Sequence, residues 1–232
     1  MPGWRLMNQL PQQSIYGDEA RLEVQPLIPL GVTSALDVGC GRGGFGRTLR
    51  DSLGQHARIV GIEAVHENVL SARVDHGFDQ VVLGYFPDAM PEQCDPFDLI
   101  CFLDVLEHVV DPWSVLASTR DYLNPGGRVV AAIPSIQNWK VLRGLIKGRW
   151  DYTDMGILDR THVRFFTRAT MIEMFEGAGF EVEACVGVNS QLPPGRPIRS
   201  VLNRRIFADM KWIPRVLPDS QWLHFVVVGR MM

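Results

Sequence analysis

Apolar runs along the chain are short and are separated by stretches in which apolar and polar positions recur at helical spacing. The runs Ser34–Val38, Arg58–Ile62, Gln80–Leu83, Phe97–Leu103, Arg128–Ile133, Glu181–Val188 and His224–Val228 read as strands. Helical patterns lie between them, near Phe45–Ser52, His66–Asp75, Pro112–Tyr122, Asn138–Lys147 and Arg168–Gly177. Strands in regular alternation with amphipathic helices predict a parallel sheet covered on both faces, because each crossover lays a helix on the sheet. Two helix starts are marked. Asp111-Pro112 puts a capping carboxylate before a proline at the first helical position, and Thr167 precedes the last helical pattern, which Gly177 and Gly179 can close. The pattern predicts one α/β domain over residues 1–232.

Two segments read as additions to that core. Residues 1–30 carry four prolines (Pro2, Pro11, Pro26 and Pro29) and form a lead-in, with a short helix expected around Asp18–Val24. Residues 191–220 form an insert between the last two strands. The insert has six basic residues against two acidic, a local balance of +4, and its apolar residues Val201, Leu202, Ile206, Phe207 and Met210 recur at roughly helical spacing. It can be a solvated helix, a lid for an anionic or lipid-linked acceptor, or a helix that contacts a membrane surface or a partner.

Composition narrows the class. The chain has 232 residues, 46% hydrophobic and 21% charged, which is globular and leaves no room for a disordered or collagen-like chain. The formal net charge of −3 gives no overall attraction to nucleic acid, and no basic–aromatic platform accompanies the insert, so nucleic acid is not the expected partner. Runs such as Val226-Val227-Val228 are too short to span a bilayer, and the N-terminus lacks the order of a signal peptide. The four cysteines (Cys40, Cys94, Cys101, Cys185) show no ligand spacing. Plain thiols, no metal site and a cytoplasmic location are therefore expected.

The first chemistry lies in Leu36-Asp37-Val38-Gly39-Cys40-Gly41-Arg42-Gly43-Gly44-Phe45-Gly46, between the first strand and the first helix. Glycines there let the chain turn sharply and let a ligand approach the main chain. Glu63 ends the second strand, and in a doubly wound sheet both positions fall at the carboxyl ends of adjacent strands, where ligands bind. A carboxylate so placed can accept bonds from ribose hydroxyls. Gly39-x-Gly41-x-x-Gly44 also fits the dinucleotide fingerprint, which keeps a nicotinamide-dependent oxidoreductase as an alternative. Against it stands Asp37, two residues before the first glycine. A carboxylate there repels a pyrophosphate but attracts a ligand ammonium or sulfonium.

The run from Leu36 to Gly43 resembles the first motif of class I S-adenosylmethionine-dependent methyltransferases. Glu63 in Gly61-Ile62-Glu63, Phe97-Asp98-Leu99-Ile100 followed by Leu106-Glu107-His108, and Asn124-Pro125-Gly126-Gly127-Arg128 match later motifs in the family's order, over about residues 30–190. The resemblance implies a Rossmann-like, doubly wound, seven-stranded and mostly parallel sheet whose last strand is antiparallel. It implies S-adenosyl-L-methionine as cofactor. Gly39, Cys40, Gly41 and Gly43 would line its methionine part, with Asp37 on that loop and the ammonium. Glu63, followed by Ala64, would hold the ribose, and Leu103 and Asp104 would lie beside the methionine. The family often has Gly-Asp after the third strand; here Gly84 is followed by Tyr85-Phe86, expected to hold adenine by aromatic contact.

The stretch between the fifth and sixth strands resembles bacterial methyltransferases of cell-surface glycan synthesis, and more loosely quinone O-methyltransferases and a methionine-pathway relative. It implies O-methylation of a small acceptor, with a sugar or glycan intermediate first among candidates. A cofactor-binding regulatory protein that transfers no methyl group is the other alternative. A hydroxyl acceptor needs a general base, and His162 and His108 are the candidates, since histidine titrates near neutrality. Arg160 and Arg164 can bind a phosphate or carboxylate on the substrate, unless Asp159 pairs with one of them. Trp139 and Tyr152, with Trp150, can stack on a ring or pack in the core.

Overall fold

The computed structural model describes residues 18–74, 77–191 and 216–232. Its strands are β1 (Ser34–Val38), β2 (Arg58–Glu63), β3 (Gln80–Leu83), β4 (Phe97–Leu103), β5 (Leu123–Pro134), β6 (Phe180–Ser190) and β7 (Trp222–Met231). Its α-helices are α1 (Gly44–Leu53), α2 (His66–Ala72), α3 (Pro112–Ser118), α4 (Trp139–Ile146) and α5 (Arg168–Gly177). All seven strands join one sheet in the order β3-β2-β1-β4-β5-β7-β6. The pairs from β3 through β5 are parallel. β7 runs antiparallel between β5 and β6. The chain moves outward through β2 and β3, then crosses back to place β4 beside β1. That reversal opens a crevice at the carboxyl ends of β1 and β4, where an open α/β sheet binds its ligand.

Every residue of β1 is buried, and its side chains alternate between two apolar layers. Leu36, Val38, Ile100 and Phe102 pack with Met171, Met174 and Phe175 of α5. Ala35, Ile59, Leu99 and Cys101 pack on the other face with Phe45 and Leu49 of α1 and with Val24 of the lead-in. Strands buried on both faces read as continuous apolar runs. Burying a side chain such as Phe102 completely contributes about 1.5–3 kcal/mol.

The expected caps form. The Asp111 side chain accepts from the Ser114 amide at 3.1 Å, with Pro112 in the first turn. Thr167 and Thr170 exchange a reciprocal capping box, and Gly179 sits at φ +88° just past α5.

Four expectations change. No helix forms over Asp18–Val24: Arg21 takes φ +49°, and a 3-10 turn at Gln25–Leu27, started by Pro26, replaces it. The Pro112–Tyr122 pattern divides into α3 and a 3-10 turn at Thr119–Tyr122. The pattern over His66–Asp75 gives a helix that ends at Ala72, and Asp75 is outside the described residues. The Asn124–Arg128 turn lies within β5 as a bulge, since Phe97 is paired with Leu123 but Leu99 with Arg128. Residues 192–215, most of the basic insert, and residues 1–17 of the lead-in also lie outside the described residues.

Candidate active site

The glycine turn is held by backbone. The amides of Gly39 and Cys40 both donate to the Ile62 carbonyl, at 2.8 and 3.0 Å, which ties the turn to the end of β2. Gly39, Gly41 and Gly43 take φ values of +72°, +54° and +100°, the left-handed region that glycine adopts without strain. A Cβ on Gly39 would sit 2.6 Å from the Val105 side chain, whereas one on Gly41 would meet nothing within 4 Å. The turn is therefore closed toward β4 and open above Gly41. Gly43 is the N-cap of α1 and supplies no side-chain cap to its first-turn amides.

Two carboxyls flank this space. Glu63 is buried and accepts from the Gly41 amide at 2.9 Å and the Val65 amide at 2.8 Å. Burial pushes its carboxyl up, against hydrogen bonds from Val65, Gly41, Ala64 and Asn68 that favour the charged form. Asp37 is 2% exposed, and its Oδ2 has no hydrogen-bond partner among the described residues. Burial, reinforced by Glu63 and opposed by the Arg21 guanidinium, pushes the Asp37 carboxyl up to about 8. A buried oxygen without a donor beside an open glycine turn suits a ligand ammonium. Tyr85 lies near enough to Glu63 for that carboxylate, after burial, to raise its phenol. Phe86 turns away into the core, edge-on to Phe102 and Tyr122. The Cys40 thiol also faces the core, with Val69, Ala72 and Val81.

The end of β4 is built differently. Leu103 closes the strand, and Asp104 takes φ +57°, a region that Asp tolerates better than most residues. Its carboxylate is paired with Arg21 of the lead-in and lies 3.2 Å from Nε2 of His224 in β7. Burial opposes ionisation of Asp104, but these two partners hold its carboxyl well below the usual range.

One turn further on, the Glu107 carbonyl accepts from the Val163 and Arg164 amides, at 2.9 and 3.0 Å. These bonds lay the loop before α5 over the 3-10 turn Leu106–His108. His108 and His162 then meet edge-to-face, with ring centroids 4.7 Å apart. Nδ1 of His162 faces the Ile157 carbonyl at 2.9 Å, and Nδ1 of His108 faces the Thr161 carbonyl at 3.2 Å. A carbonyl only accepts, so both rings carry their proton on Nδ1 and a lone pair on Nε2. Burial and then His162 lower His108 to about 4, and burial lowers His162, so both rings are neutral at pH 7. The Glu107 carboxyl is 1% exposed and, among the described residues, has no hydrogen-bond partner. Its Oε1 lies 3.9 Å from Nε2 of His162.

The other expected substrate groups have local partners. Arg160 is paired with Asp154 at 2.9 Å in solvent, while Asp159 accepts from the Thr161 amide and hydroxyl. Arg164 donates to the Val110 carbonyl and lies over the Trp113 ring. Trp139 is buried and donates its indole N–H to the Gln191 carbonyl at 2.8 Å. Tyr152 is exposed beside Trp150. Sequence reasoning missed Arg21, Glu107 and His224. For Glu107 a signal existed, since Asp104-Val105-Leu106-Glu107-His108 puts two carboxyls and an imidazole on one turn.

The sheet order, the open glycine turn and the paired carboxyls define a nucleoside-binding α/β domain of the S-adenosylmethionine-dependent methyltransferase type. Residues 18–184 match the family model described as a methyltransferase domain, and the chain belongs to that family. It is similar to the ubiquinone biosynthesis O-methyltransferase of Xylella fastidiosa strain 9a5c, at 32% identity over 51% of this chain and 50% of that protein. It is also similar to the human mitochondrial ubiquinone biosynthesis O-methyltransferase, at 27% identity over 71% of this chain and 46% of that protein. The chain thus spans about half the length of these curated relatives. In fold it is similar to a SAM-dependent methyltransferase from Archaeoglobus fulgidus, with TM-score 0.67 and 15% identity over 90% of this chain and 91% of that one. S-adenosyl-L-methionine is the cofactor that the family implies, and the nicotinamide alternative is not favoured. Among the described residues no helix is long and apolar enough to cross a membrane. All four cysteines are free.

Proposed function

We propose that the chain transfers the methyl group of S-adenosylmethionine to a hydroxyl oxygen on a small ring acceptor. When bound, the cofactor supplies a methyl group on a sulfonium, which needs in-line approach of a nucleophile more than covalent help from the protein. Asp37 would hold the ammonium, Glu63 the ribose, and the first-turn amides of α1 the carboxylate. The observation that carries the acceptor half is the cluster of Glu107, His108 and His162 beyond the end of β4, where His162 presents a basic nitrogen in a buried setting. The acceptor hydroxyl loses its proton there, which a nitrogen or thiol nucleophile does not require to the same degree.

A sugar or glycan hydroxyl is the acceptor class drawn from the sequence. The relatives' names support a second reading, a phenolic hydroxyl of quinol type. The exposed ring of Tyr152, beside the half-buried ring of Trp150, offers a stacking surface to either. The test is release of S-adenosylhomocysteine from purified protein offered nucleotide sugars in one series and catechols in another. Turnover with either series supports hydroxyl methylation and selects the class. Turnover with neither, but with an amine or thiol series, overturns it.

A further inference from the structure

The ion pair between Arg21 of the lead-in and Asp104 after β4 leaves two of its own atoms over. It forms through Nη1 of Arg21 and Oδ2 of Asp104. Nη2 of Arg21, Oδ1 of Asp104 and Nδ1 of the adjacent His224 are buried, and none has a hydrogen-bond partner among the described residues. Oδ1 has only the 3.2 Å approach of His224 Nε2. Buried polar atoms are normally paired, because an unpaired one keeps the cost of losing its water. The backbone is also bent to bring these groups together. Among the described residues, the non-glycine residues with positive φ are Arg21 at +49°, Asp104 at +57° and Asn189 at +56°. All three belong to this network, since Glu23 accepts from Arg21 at 2.8 Å and from Asn189 at 3.5 Å. Such conformations persist where the surroundings enforce them, and they gather at sites that bind or react.

The network stands between the two halves of the site. The Asp104 amide donates to the Ala132 carbonyl of β5 at 3.0 Å, and His224 lies opposite Pro134, the last residue of β5. The cluster therefore sits at the carboxyl ends of β4 and β5. Arg21 acts electrostatically on Asp37 on the cofactor side, while Asp104 and His224 act on His162 on the acceptor side.

The atoms left over define what fits them. A guanidinium nitrogen only donates and a carboxylate oxygen only accepts. A carboxylate or phosphate would meet Asp104 as a like charge, and an ammonium would meet Arg21 in the same way. A hydroxyl both accepts and donates, so one neutral hydroxyl can complete both ends of the pair. With the Nε2 proton of His224 turned to Asp104, Nδ1 carries a lone pair and accepts from a hydroxyl as well. The arginines first expected to take an anionic substrate group are engaged elsewhere, Arg160 with Asp154 and Arg164 with the Val110 carbonyl. We infer that Arg21, Asp104 and His224 form a subsite for a second, neutral hydroxyl of the acceptor, apart from the one that is methylated. On the reading that the chain methylates a hydroxyl, the acceptor is then an uncharged ring with at least two hydroxyls. His224 sets that preference, and Arg21 positions Asp104.

The test compares kcat/KM for catechol, phenol and salicylate, and for UDP-glucose and its monodeoxy analogues, in the wild type, His224→Phe and His224→Asn. The wild type should prefer an acceptor with the second hydroxyl by about tenfold or more. Salicylate, which has a carboxylate where catechol has that hydroxyl, should be used no better than phenol. His224→Phe should lose most of the preference, and His224→Asn, which keeps a polar atom near the Nδ1 position, should recover it. Calorimetry should show unchanged S-adenosylhomocysteine binding in both variants. Equal use of the paired acceptors by the wild type, preference for salicylate, or an undiminished preference in His224→Phe would overturn the subsite alone. Weakened S-adenosylhomocysteine binding in His224→Phe at an unchanged melting temperature would also overturn it, by assigning the cluster to the cofactor. Turnover of no hydroxyl acceptor sinks the hydroxyl reading itself, and the subsite with it.

Discussion

At the end of β1 the site is made of main chain. The amides of Gly39 and Cys40 hang on Ile62, the Gly41 amide holds Glu63, and the Asp37 and Glu63 carboxyls flank the turn. At the end of β4 the site is made of side chains from distant segments. Arg21, Asp104 and His224 converge from the lead-in, a strand end and the last strand, while Glu107, His108 and His162 meet through a loop laid across a turn. The difference teaches how one fold keeps its cofactor and changes its acceptor. A binding surface made of backbone is fixed once the strand–turn–helix forms, whereas one made of converging side chains can be rewritten residue by residue.

The comparison predicts that the two halves separate under mutation. The largest effect is expected for His162→Ala: turnover should fall by about 10²–10⁴-fold, while affinity for S-adenosylhomocysteine, read by calorimetry, stays unchanged. Full activity in that variant would remove the cluster from the mechanism. Glu63→Ala should do the reverse, weakening S-adenosylhomocysteine binding by about 1–3 kcal/mol, because it removes charge-assisted bonds. Unchanged affinity would refute its role at the ribose.

The Asp37 carboxyl gives the third prediction. With its proton bound up to about pH 8, it is neutral in the free protein at pH 7, and a ligand ammonium favours its ionised form. Binding at pH 7 should therefore release about one proton, with release declining as the pH rises past about 8. Calorimetry in buffers of different ionisation enthalpy measures this, and Asp37→Asn should abolish it. Proton release that persists in Asp37→Asn would move the titration elsewhere.

The smallest effect is a control at the opposite end of β4. Partial burial opposes ionisation of Asp98, but hydrogen bonds from Thr33, Asn124 and Ser34 outweigh it and hold the carboxyl at about 2. Its folded value is depressed, so its contribution is present above about pH 4 and is lost as pH falls to about 2. Discounted for exposure, Asp98→Asn should cost about 0.5–1 kcal/mol at neutral pH. It should flatten the acid limb of a denaturation profile without changing ligand binding. A change in S-adenosylhomocysteine affinity would break the separation of sheet ends.

What the sequence made legible follows the same division. Phe97–Leu103 could be read to the residue because, apart from Asp98 near its start, it is a continuous apolar run of the kind a strand buried on both faces needs, and Thr167 marks the start of α5 by its own capping chemistry. The glycine turn and Glu63 were legible because they are local and spaced by one strand–helix–strand unit. His162 was singled out as a titratable group, but its partner Glu107 was not, since contact between them depends on the loop before α5 crossing the turn after β4. Arg21 lay hidden in a segment read as a lead-in, although Val24 beside it is completely buried and the Thr48 hydroxyl binds the Ala20 carbonyl at 2.6 Å. Helix ends at Ala72 and Ser118 escaped periodicity because 3-10 turns and helix ends continue the same spacing for several residues.

The most direct measurement is calorimetric titration of the purified chain with S-adenosylhomocysteine, with NADH in parallel. Saturable one-to-one binding of S-adenosylhomocysteine, none of NADH, and proton release at pH 7 are the predicted results. Absence of S-adenosylhomocysteine binding, or preference for NADH, would contradict the assignment of the glycine turn and leave the fold without its cofactor.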